Sequence, residues 1–112
     1  MPKPINEMMV ARRKEARGAI LMMLDQNRGM QTAIKVGWIV SALGSKPELA
    51  AEVPEQIAYL ESKGYIKIDQ REDTPELRPI KAAYILLTCN GQDVVEGTTE
   101  DPGIIFGDAE RA

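Results

Sequence analysis

The chain has 112 residues, 44% of them apolar and 28% charged, with one cysteine, no histidine and a formal net charge of −3. That is the balance of one globular domain with a modest core. One thiol without histidine excludes an internal disulfide and a soft-metal cluster, and removes the usual general base, although carboxylates could still serve. No apolar run approaches the ~20 residues of a membrane span, and the opening MPKPINEMMVARRKEARG lacks the order of a signal peptide. An intracellular protein without membrane, metal or cofactor is expected. Charge is unevenly spread. Residues 1–35 carry seven Lys/Arg (Lys3, Arg12, Arg13, Lys14, Arg17, Arg28, Lys35) against Glu7, Glu15 and Asp25, whereas residues 90–112 carry six acids against one Arg. A basic surface and an acidic tail follow, or two solvated faces that attract each other in a dimer.

In chain order, the first predicted helix covers residues 6–26, with Asn6 as N-cap and Glu7 in the first turn. Met9, Ala16, Ile20, Met23 and Leu24 recur at helical spacing and should face the core. Arg12, Arg13, Lys14 and Arg17 lie mostly off that stripe, on a solvated face. DQNRG stops the helix. A second helix fits residues 32–43, capped by Thr32, opened by Lys35 and stopped by Gly44. Its apolar face comprises Ile34, Trp38, Ile39, Val40 and Leu43, with Trp38 packing in the core or at a dimer contact.

A third helix begins after Gly44, where SKPE offers a capping box from Ser45 to Glu48 with Pro47 in the first turn. Leu49, Val53, Ile57 and Leu60 form its apolar stripe, and Gly64 ends it. Pro54 interrupts the pattern, since an interior proline costs ~3 kcal/mol. Either the helix kinks there, or a short turn over 47–52 precedes a helix that begins at Pro54; the second suits the proline better. YIKID alternates as a strand, AAYILLT is a second, and the polar segment between them is a long hairpin tip. Thr88 caps a short helix that Gly97 ends, with Val94 and Val95 facing inward. Cys89 is expected as a small, half-buried residue at a strand end. Residues 98–112 read as an acidic irregular tail beside a domain of residues 1–97.

Three helices, a long-tipped hairpin and a short helix give an α+β, mainly α, chain. At residue level, IAYLESKGYIKID followed by AYILLTCNGQDVVEG resembles a winged helix-turn-helix domain of the arsenic-repressor-like kind: a recognition helix running into its strand, then a strand-to-helix exit marked by Leu87, Thr88 and Gly91. The resemblance spans residues 15–97. The ending GQDVVEGTTEDPGI is similar to that of a small winged-helix family carried by Mu-like phages and prophages, of similar length and with a leading basic helix. Here the tail is acidic where basic residues are expected. The resemblance implies a DNA-binding transcriptional regulator acting as a dimer in the cytoplasm of a bacterial host. Regulation by a soft metal does not carry over, because the ligands are missing.

For double-stranded DNA, the candidate contacts are Lys35, Ser45, Lys46, Gln56 and Lys63 on and around the helices, and Arg71, Arg78 and Lys81 at the hairpin tip. Gln56 is the base reader among them. Against this stand Glu48, Glu52 and Glu55 on the third helix, because most DNA affinity comes from neutralising phosphates. The alternative is a protein-interaction module that docks a basic partner through its acidic third helix or tail, without sequence-specific DNA binding. No phosphate loop, triad or metal cluster argues for an enzyme. Met8, Met9, Trp38, Ile104, Ile105 and Phe106 are candidates for a homodimer interface.

Overall fold

The computed structural model describes residues 4–27, 33–69 and 83–106. Four helices pack around a three-stranded antiparallel sheet, an α+β arrangement that is mainly helical. Helix α1 spans Pro4–Gln26, three residues longer at its start than an Asn6 cap allows. Only its C-terminal half enters the core: Ala16, Ile20, Leu21 and Leu24 are fully buried, whereas Met9, expected inside, is 40% exposed.

Strand β1, Ile34–Lys35, then leads into helix α2, Val36–Ala42. The shift of the helix start from Thr32 to Val36 has a direct cause. Ile34 and Lys35 pair with Ile85 and Tyr84, and the Val36 amide extends the ladder by donating to the Ala83 carbonyl at 2.9 Å. Pairing holds Lys35 in the extended region, where it becomes the N-cap of α2. The core face of α2 is therefore Val36, Ile39 and Leu43, and Trp38 projects from the far side, 48% exposed.

Helix α3 runs unbroken over Pro47–Ser62, with Pro54 inside it. The expected break does not occur because the apolar stripe continues on both sides of the proline: Val53, Ile57 and Leu60 are all fully buried. Burying three such side chains is worth roughly 1.5–3 kcal/mol each, more than the ~3 kcal/mol that the proline costs. The Ser45 cap is also not formed. Lys46 is the N-cap, without a side-chain cap bond, and Ser45 stands exposed in the turn before it.

Strands β2, Ile66–Asp69, and β3, Tyr84–Leu87, pair antiparallel and complete the sheet order β1-β3-β2. Ile34, Ile85 and Ile68 line up across the three strands and pack on the core. Helix α4, Cys89–Glu96, is capped by Thr88, whose Oγ1 accepts from the Gly91 amide at 3.1 Å, and Gly97 ends it at a φ of 83°. Thr88 Oγ1 also donates to the Gly64 carbonyl, and its amide donates to the Tyr65 carbonyl. A Cβ at position 91 would lie 2.2 Å from the Tyr65 carbonyl oxygen, so only glycine lets α4 sit against this junction. Cys89 opens the helix and is exposed, not half-buried, because its position faces away from that contact. Among the described residues, no helix is long and apolar enough to cross a membrane.

Residues 98–106 are not a separate tail. Ile104 is 8% exposed within the common core, Phe106 packs against it, and the Ile105 amide donates to the Lys14 carbonyl of α1 at 3.1 Å. The sequence of this segment is mostly polar, so its two useful apolar residues give no periodic signal; the core into which they insert belongs to other elements.

Candidate functional site

The densest polar construction lies where α1, α3 and residues 101–106 meet. Arg17 Nε donates to Gln56 Oε1 at 2.8 Å, and Arg17 Nη1 donates to the Gly103 carbonyl at 2.9 Å. The same guanidinium stands over the Tyr59 ring, 3.5 Å from its centroid. Gln56 Nε2 donates in turn to Glu52 Oε1 at 3.2 Å. Just past the end of α3, Tyr65 donates its hydroxyl proton to Asp101 Oδ2, the Gly103 amide donates to Asp101 Oδ1 at 2.7 Å, and Lys63 Nζ lies 3.6 Å from Asp101.

The electrostatics follow from this packing. Burial, reinforced by the bond to Asp101, pushes the Tyr65 hydroxyl from 10.0 up to about 12. The hydrogen bond from Tyr65 holds the Asp101 carboxyl below its ordinary 3.8, against the opposing effect of burial. Space for the segment comes from Gly18. A Cβ there would stand 2.0 Å from the Ile105 carbonyl oxygen, so only glycine admits this crossing.

This network redistributes the sequence candidates. Gln56, expected to read bases, is 4% exposed and bonded to Arg17, so its amide is not presented to a groove. Arg17, expected on a solvated face, is instead the centre of the network. Lys63 is the C-cap of α3 and pairs with Asp101. Lys35 and Lys46 are exposed at the starts of α2 and α3. Arg71, Arg78 and Lys81 lie outside the described residues. Of the interface candidates, Met8, Met9, Trp38 and Ile105 are exposed, whereas Ile104 is used up in the chain's own core.

The outward face of α3 is then fixed. Glu48, Ala51, Glu55, Ala58 and Ser62 are exposed at spacings of three and four, with Glu61 beside them. It is an acidic strip between small side chains, with neither Arg, Lys, Asn nor Gln on it. Two signals pointed to the Arg17 network. Gly18 sits inside a helix, where it costs about 1 kcal/mol relative to alanine, a sign of close backbone approach. Gly103 follows Asp101 and Pro102 as a turn does. Among the described residues, no group of three or more Cys, Asp or Glu is gathered to hold a metal ion. No protein-family model, no curated protein and no solved structure matches this chain.

Proposed function

We propose that this chain is a winged-helix domain that works by binding a basic protein segment along the outer face of α3. The winged-helix reading is supported by the order α1-β1-α2-α3-β2-β3-α4 and by the sheet order β1-β3-β2, which sets the hairpin of β2 and β3 beside α3. The observation that carries the functional reading is the composition of that face: Glu48, Glu55 and Glu61 outward, Gln56 inward. A helix so charged raises the cost of approach to phosphates and suits a lysine- or arginine-rich surface. Ala51 and Ala58 leave room for the partner's long side chains to lie flat on the helix.

Fluorescence anisotropy tests this directly. A labelled Lys/Arg-rich peptide should bind the protein at low salt and lose affinity in the variant E48Q/E55Q/E61Q. A mixed-sequence DNA duplex should show no binding at about 50 mM salt, where electrostatic DNA binding is strong. Tight duplex binding by the native chain, with a steep salt dependence, would overturn the reading.

One observation favours a second reading, a DNA-binding regulator of the arsenic-repressor-like or Mu-like phage kind. Lys46 is exposed at the N-terminus of α3, where the helix dipole favours a phosphate, and Lys35 is exposed at the start of α2. On that reading these lysines, with Arg71, Arg78 and Lys81, hold the DNA backbone. The double variant K35A/K46A separates the two readings: it abolishes duplex binding in the second and leaves peptide binding intact in the first.

A further inference from the structure

Four of the five large apolar side chains exposed among the described residues belong to the N-terminal part of α1 or lie beside it. Met8, Met9 and Val10, at 60%, 40% and 43% exposure, follow one another along the N-terminal half of α1, and Ile105, at 40%, is tied to the same helix by its bond to the Lys14 carbonyl. Between Val10 and Ile105 lies a shallow hollow of about 320 Å³, lined also by Glu7, Ala11 and Lys14. Helix α1 is 23 residues long, and its fully buried side chains, from Ala16 to Leu24, all lie in its second half. Exposed apolar side chains lining a hollow, Val10 from the helix and Ile105 from outside it, mark a candidate interaction site.

The order of residues around the hollow identifies what fits it. Glu7, Val10, Ala11 and Lys14 are spaced three, one and three apart, so all four share one helix face. The pattern is self-complementary about the midpoint between Val10 and Ala11. We infer that this face pairs with the same face of a second copy of the chain, antiparallel, about a twofold axis passing between Val10 and Ala11. In that register Glu7 of each protomer meets Lys14 of its partner, once at either end, and Val10 meets Ala11 in the middle. Ala11 leaves the space for two helices to approach within the usual 8–10 Å. Ile105 adds an apolar side chain from outside the helix. Parallel pairing is disfavoured by the same residues, because it sets Glu7 against Glu7 and Lys14 against Lys14. The interface is isologous and closes after two copies. It is independent of how α3 is used, since the Glu7–Lys14 face and the Glu48–Ala58 face are on different elements.

Sedimentation velocity over a concentration series tests the pairing, and far-UV circular dichroism checks that each variant is folded. The native chain should sediment as a species of twice 12.4 kDa. E7K and K14E, each alone, place like charges at both ends and should weaken the dimer by about tenfold or more. E7K/K14E together should restore it. Mixing the two single variants should also restore a dimer, because each then offers the other opposite charges at both ends. A native chain that stays monomeric throughout overturns the proposal. So does a dimer indifferent to E7K and K14E, which would place the contact elsewhere, such as at Trp38, and so does failure of the mixed variants to associate.

Discussion

Arg17 stacks over the ring of Tyr59, 3.5 Å from its centroid, while the same guanidinium bonds Gln56 at one edge and the Gly103 carbonyl at another. One side chain thus joins α1, α3 and residues 101–106. Its planar, forked donor set is what makes this three-way use feasible. R17A removes the stack and both bonds and leaves the buried Gln56 oxygen without a donor. A desolvated cation–π contact, two hydrogen bonds and one orphaned acceptor together make a loss of roughly 2–4 kcal/mol. R17K keeps the charge but not the fork, and should recover less than half. The midpoint of urea unfolding measures both, with the slope m unchanged if the denatured state is unaffected.

Tyr65 and Asp101 make stability depend on pH at both extremes, and the signs differ. The folded Tyr65 hydroxyl is raised from 10.0 to about 12, so its contribution is complete below pH 10 and is lost as the pH rises from about 10 to about 12. The folded Asp101 carboxyl is lowered from 3.8, so its contribution is present above that value and is lost as the pH falls through the lower folded value. Y65F removes the hydroxyl and the main cause of the Asp101 shift. Near neutral pH it should cost roughly 1.5–3 kcal/mol, the range of a hydrogen bond to a charged group. Thermal unfolding followed from pH 2 to pH 12 should give a variant whose difference from the native chain shrinks at both ends; a constant difference would mean the Tyr65–Asp101 bond does not set the profile.

The outcome at α3 and at residues 98–106 shows where sequence reading holds and where it stops. The stripe Leu49, Val53, Ile57 and Leu60 declared a helix, and all four are buried. Thr88 and Gly97 announced the ends of α4 correctly, because capping chemistry is local. Pro54 misled, since the local penalty of a proline is visible in sequence and the packing that outweighs it is not. Strand β1 was missed because two residues cannot show alternation; its partner lies fifty residues away in β3. The same distance in sequence hid the network. Gln56 reads as a surface amide until Arg17, 39 residues earlier, is known to face it.

Gly18 tests how firmly residues 104–106 are held, because two effects of G18A have opposite signs. In a helix, alanine for glycine gains up to about 1 kcal/mol. At this site the added Cβ would stand 2.0 Å from the Ile105 carbonyl oxygen and 2.8 Å from its carbon, both backbone atoms, so the segment must move away. Moving it gives up the Ile105–Lys14 bond and much of the burial of Ile104, roughly 1 and 1.5–3 kcal/mol in turn. The loss outweighs the gain, and G18A should be destabilising by roughly 1–3 kcal/mol in the full chain. In a chain shortened to end before Ile104 the three atoms nearest the methyl group, all in Ile105 and Phe106, are gone, and the same substitution should become stabilising. Chemical denaturation of the four proteins measures the change of sign. Exchange of the Ile105 amide with deuterium, faster in full-length G18A than in the native chain, would locate the effect. If G18A stabilises the full chain, the crossing at Gly18 is not what holds the segment in place.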